Sequence, residues 1–178
     1  MAAAVGRPVG NRHAAGLRST RARFTGGRQL IADPLDGGIR MQAADTVAQA
    51  ISAALAATDA SVASADGDVI GVSSPSAKSG RRIEIRIRDA SDFDVAFVVP
   101  EAPGSPFEQV ISGPSQEASA VVAEVARFVS NLVAERTALL IGPRGRRFVP
   151  VSELPSELSR GSTAFSWRGQ HDANAPAV

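Results

Sequence analysis

Arg82-Ile83-Glu84-Ile85-Arg86-Ile87-Arg88 alternates charged and apolar residues without a fault. Successive side chains of a strand point to opposite faces, so this stretch predicts a strand with one isoleucine face and one charged face. Residues 89–92 follow as a turn, and Phe93-Asp94-Val95-Ala96-Phe97-Val98-Val99 supplies the partner strand. Directly opposed residues share a face, so the isoleucines must oppose Phe93, Val95, Phe97 and Val99. Two registers satisfy this. One sets Ile87 against Val95 and Asp94 against Arg88. The other sets Ile87 against Phe93 and Asp94 against Arg86. A slip by one residue would bring phenylalanine against arginine, which is why the register is strongly specified.

Working outward, Ala65-Asp66-Gly67-Asp68 is a turn signal between short apolar runs around Val62 and 69–72. Residues 75–80 read as a loop. Before them, Met41, Ala44, Ala48, Ile51 and Leu55 recur at spacings of three and four, with Val47 and Ala54 widening the stripe. That spacing predicts a helix over 40–57. On the other side, 100–114 reads as a Pro/Gly-rich loop with Phe107, Val110 and Ile111 pinned to the core. A second helix is expected over 116–136, with Ser115 as N-cap. Val121, Val122, Val125, Phe128, Val129, Leu132 and Val133 form its broad apolar face. Residues 138–141 and 148–151 are expected as two short strands, the second held to a sheet edge by Pro150. Residues 152–158 read as one helical turn, and the alternation of Thr163, Phe165 and Trp167 as a last short strand.

These elements define an α+β protein. The expected architecture is a two-layer sandwich, an antiparallel β-sheet covered on one face by two helices, over residues 39–168. The element order is similar to that of bacterial secretion-chaperone-like folds and of other small intracellular binding modules. That likeness implies fold alone.

The net charge of +1 conceals two parts of opposite sign. Residues 1–32 hold Arg7, Arg12, Arg18, Arg21, Arg23 and Arg28 and no carboxylate, whereas the rest holds all 18 carboxylates against 13 basic residues. Residues 1–38 are also rich in Gly and Pro and lack an apolar period, as expected of a disordered N-terminal arm. Three readings fit this arm: a plain tail or over-extended start, an organelle transit segment, or a nucleic-acid arm. Residues 169–178 are expected as a flexible tail. Ala, Arg, Gly and Pro, all with GC-rich codons, are abundant, and Lys78 is the sole lysine. The bias fits a GC-rich genome and discounts any argument from arginine to nucleic acid.

Chemistry is bounded mainly by what the chain lacks. There is no cysteine and no tyrosine, and the two histidines, His13 and His171, fall in the expected arm and tail. Ser/His/Asp triads, thiol nucleophiles and His- or Cys-ligated metals are therefore not expected in the folded part, and no catalytic residue, metal or cofactor is assigned. Asp89, Asp92 and Asp94 lack the pattern of a calcium loop and read as a hairpin turn. The positive candidate is Gly142-Pro143-Arg144-Gly145-Arg146-Arg147. Its arginines Arg144, Arg146 and Arg147 suit an oxyanion, since guanidinium groups grip phosphate or carboxylate in two-point fashion, and the alternative, which is favoured, is a solvated hairpin turn. Arg86 and Arg88 on the charged strand face are a second candidate for docking a partner, but Glu84 and Asp94 among them favour a self-neutralised solvent face. Trp167 is the only tryptophan, a residue type that marks interfaces but also closes cores.

The expectation is a non-enzymatic protein-interaction module, adaptor or chaperone-like, with a protein partner or a second copy of itself and no membrane. One alternative is nucleic-acid binding through the arm and Arg144–Arg147. Another is a histidine-free enzyme acting on an anionic small substrate. The expected location is cytoplasmic, or an organelle matrix if residues 1–38 are a transit segment.

Overall fold

The computed structural model describes residues 34–65 and 67–173. Residues 1–33 of the expected arm over 1–38, the turn residue Asp66 and residues 174–178 of the expected tail lie outside the described residues.

The architecture is mixed α+β. Helix α1 (Pro34–Ala54) leads into strands β1 (Ser61–Ala65), β2 (Val69–Ser73), β3 (Arg82–Asp89), β4 (Asp92–Val98) and β5 (Phe107–Ser112). These form one five-stranded antiparallel meander in the order β1-β2-β3-β4-β5. Helix α2 (Ala118–Val133) crosses to strands β6 (Thr137–Gly142) and β7 (Gly145–Pro150). A short helix α3 (Leu154–Leu158) and strand β8 (Thr163–Phe165) complete a second sheet of order β7-β6-β8.

The alternating strand behaves as its period demands. Ile83, Ile85 and Ile87 are buried, while Arg82, Arg86 and Arg88 are exposed. The register is the second of the two allowed, Ile87 opposite Phe93, Ile85 opposite Val95 and Arg86 opposite Asp94. Inner-face side chains of the meander pack against Val47, Ile51 and Leu55 of the first helical segment and against Val121, Val125 and Val129 of α2. Helix α1 lies against β1, β2 and β3, and α2 against β4, β5 and β6. The two helices also touch each other, and α2 reaches both sheets.

Several expectations are corrected. The later strands do not extend the first sheet but form their own. β5 borders only β4 and β7 borders only β6, so the two ladders never join. Pro106 stands just before β5 and Pro150 is the last residue of β7, so a missing N–H affects only one end of each strand. The 100–114 loop contains β5, whose Val110 is 52% exposed rather than pinned to the core. β5 alternates Phe107 and Ile111 inward with Glu108 and Val110 outward, so Val110 belongs to the outer face. Helix α1 starts at Pro34, where proline's fixed φ suits a first helical turn. Ala54 is exposed, outside the buried stripe. Ser115 opens a 3-10 turn over Ser115–Glu117 and does not cap α2 with its side chain.

The second sheet is covered on both faces. Leu139 joins the main core, with Ile141, Phe148 and Phe165 packed beside it. On the opposite face Ala138, Leu140, Val149 and Ala164 meet Leu154 in a small separate cluster beneath α3. Residues 169–173 belong to the fold rather than to a tail. Ala173 bridges Ala164, and Asp172 is tied to Arg81. Among the described residues no helix is long and apolar enough to cross a membrane.

Candidate functional site

The three arginines expected to share one oxyanion do not converge. The turn closes between Gly142 and Gly145, so Arg146 and Arg147 are already strand residues and point to opposite faces. Arg147 faces α3 and donates to Glu157, which also accepts from Arg160 at 2.8 Å. Arg146 faces the other way. Its guanidinium sits 5.1 Å from the centre of the Phe107 ring and donates to the Gly104 carbonyl at 3.3 Å. Gly104 makes this possible: a Cβ there would stand 2.5 Å from the Arg146 guanidinium, and its φ of +78° disfavours a side chain as well. Arg144 is exposed at the turn.

The charged face of β3 is largely neutralised by its own neighbours. Arg82 bonds Glu84 at 2.7 Å, and Arg88 bonds Asp94 at 2.5 Å. That hydrogen bond, and then the Asp94 charge, raise the Arg88 guanidinium above its ordinary range. The partner of Asp94 is thus Arg88, although Arg86 lies directly opposite, because the strand is irregular between Ile87 and Asp89. Arg86 stays exposed. Among the described residues no group of three or more acidic or imidazole side chains is arranged to hold a metal ion, and Asp89, Asp92 and Asp94 form no such site.

Trp167 is wholly buried, which sets aside its reading as a binding residue. Its ring lies 6.2 Å from that of Phe97, and Phe97 in turn lies 6.5 Å from Phe148. The Phe97–Phe148 pair therefore spans the two sheets, and Trp167 packs onto Phe97. Around it runs a polar network invisible in the sequence. Arg81, 3% exposed, grips Asp172 at 2.9 and 2.7 Å and also bonds Glu101 and the Ser166 carbonyl. Burial pushes the Asp172 carboxyl up, but hydrogen bonds from Arg81, Lys78 and the Ser166 N–H outweigh it and hold the group at about 2. Glu135, buried and at φ 55° just past α2, accepts from Ser166 Oγ at 2.8 Å and from the Arg168 N–H at 2.6 Å. These bonds hold a non-glycine residue in the left-handed region where a helix end usually uses glycine. His171 lies in the folded part after all, half-buried, with its backbone N–H on Ser166 Oγ.

The feature that sequence reasoning missed is a groove between the two sheets. It has a volume of about 520 Å³ and is lined by Gln109 and Ile111 of β5, Arg127 and Phe128 of α2, and Phe148 and Pro150 of β7. A smaller hollow of about 210 Å³ continues it past Phe107, Leu139 and Arg146. Phe128 and Phe148 are half-buried and meet edge to face at 5.1 Å, making an aromatic floor. Both walls are strands whose outward ladder positions have no strand partner. The sequence had offered Pro150, which marked β7 as an edge, and Phe128, one residue of the broad apolar face of α2. Comparison with protein-family models, curated proteins and solved structures finds no match for this chain.

Proposed function

We propose that this chain is a non-enzymatic protein-interaction module, an adaptor or chaperone-like binder that takes a protein partner. One observation carries the reading: the open edges of β5 and β7 face a common groove with an aromatic floor. Unpaired strand edges are templates for another chain, and proteins use them in binding by strand addition. Support for a small oxyanion ligand is weaker, because Arg147 is held by Glu157 and turned to the opposite face from Arg146, so the arginines do not converge on one anion.

The test is a photo-crosslinking residue placed at exposed Gln109 in the full chain, expressed in its native host. The expected result is a partner protein, or a second copy, joined at that position in near-stoichiometric yield. A strictly monomeric chain that cross-links nothing and co-purifies with nothing overturns the reading.

A further inference from the structure

We infer that the groove takes one extended peptide segment, inserted as a strand between β5 and β7, apolar at alternate residues and acidic at the end lying against the β6–β7 turn. This rests on the protein-interaction reading and specifies its ligand.

The main-chain argument comes first. Each wall is a strand with one paired and one unpaired edge. Two rows of backbone donors and acceptors facing one gap are matched by an extended polypeptide, which offers such groups on both of its sides. Neither a helix nor a small anion does this. An inserted strand would join the two ladders into one continuous sheet.

The floor sets the side-chain pattern. The groove lies on the helix side of β5, where Phe107, Gln109 and Ile111 share a face. Every second side chain of an inserted strand would point the same way. Those side chains would land on Phe128 and Phe148, which are half-buried and have apolar surface left to cover. The intervening side chains would join the outer face beside Glu108 and Val110.

Charge sets the end. Among the described residues neither Arg144 nor Arg146 has a carboxylate partner, whereas Arg82, Arg88 and Arg147 each do. Arg146 lines the narrow end of the groove and Arg144 stands at the adjoining turn. Glu108 lines the same hollow and offsets part of this charge, leaving it net positive. At the wide end Arg127 is answered by Glu124, 3.9 Å away. A carboxylate on the ligand is therefore best placed at the narrow end.

The experiment uses the full chain and synthetic ten-residue peptides with Val, Ile or Thr at alternate positions and two acidic residues at either terminus. Binding is read by fluorescence anisotropy and by hydrogen exchange. One orientation should bind and slow exchange across residues 107–112 and 145–150. N-methylation of alternate amides should weaken binding on the order of 10-fold or more. Exchanging the acidic pair for lysines should weaken it by about 5-fold, and Arg144→Glu, at an exposed turn, should reverse that preference. Four results would overturn the inference: no binding of either orientation up to about 1 mM, binding indifferent to N-methylation, protection confined to other strands, or full displacement by oligothymidine. If the peptides fail but a host partner still co-purifies with the full chain, the interaction reading survives and this inference does not. If no partner is found either, both fall.

Discussion

The hairpins β3–β4 and β6–β7 both place arginines on a strand, yet they use them in opposite ways. In β3, Arg82, Arg86 and Arg88 are spaced by even numbers and share one face, where Glu84 and Asp94 answer two of them. In β7, Arg146 and Arg147 are adjacent and so must part, one to the groove and one to α3. The first hairpin sits inside its sheet, with a strand bonded to each side. In the second, only β6 is enclosed, and β7 keeps an open edge. Spacing, not number, decides whether arginines converge, and position in the sheet decides whether a strand has main-chain bonds left to offer.

The largest way to break this contrast is to open the core that both hairpins share. Trp167→Ala deletes a fully buried side chain packed on Phe97 and should cost about 3–5 kcal/mol. Urea denaturation followed by circular dichroism measures it, and a loss within experimental error would show that the sheets do not depend on this contact. Next, Ile85→Ala in β3 should cost about 2–4 kcal/mol, whereas Phe148→Ala in β7 should cost roughly half as much, because Phe148 is only half-buried. Equal losses would mean that the groove floor is core rather than a site.

Acid sharpens the comparison from a third direction. The folded Asp172 carboxyl, at about 2, lies below its ordinary 3.8. A depressed carboxyl stabilises the fold above the unfolded value and loses that stabilisation as pH falls through the folded one. About 2 kcal/mol should therefore vanish between roughly pH 4 and pH 2. Asp172→Asn should flatten that part of the stability profile in thermal melts. An unchanged acid limb would show that the Arg81–Asp172 clip contributes nothing. The smallest effects concern the β7 arginines. Arg147→Ala, which leaves buried Glu157 with Arg160 alone, should cost about 1 kcal/mol. Arg144→Ala should stay within about 0.5 kcal/mol in the same melts. A larger loss at Arg144 would reveal a structural role and weaken its assignment to a ligand.

The fold was far more legible than the site. Ile83, Ile85 and Ile87 announced their strand because burial on one face imposes a period of two that any reader of the chain can see. The face of α2 was equally plain. β5 was not, because Phe107-Glu108-Gln109-Val110-Ile111-Ser112 alternates imperfectly and starts beside Pro106. Its Gln109 sits on the inward face yet is exposed, since it borders the groove rather than the core. That exception to the pattern is a local trace of the site, and it has meaning only once β7 is known to stand opposite.

By itself the sequence determined the class of the fold, the inward faces of β3, β4 and α2, the edge position of β7 and the absence of cysteine and tyrosine chemistry. It narrowed the β3–β4 register to two choices, because alternation is a property of one strand and its immediate partner. Only the tertiary structure chose between them, separated one expected sheet into two, buried Trp167 and gave Arg81 its partner Asp172, 91 residues away. These depend on which distant segments come to lie side by side. The groove is the clearest case, since its walls are edges, and an edge is defined by the strand that is not there.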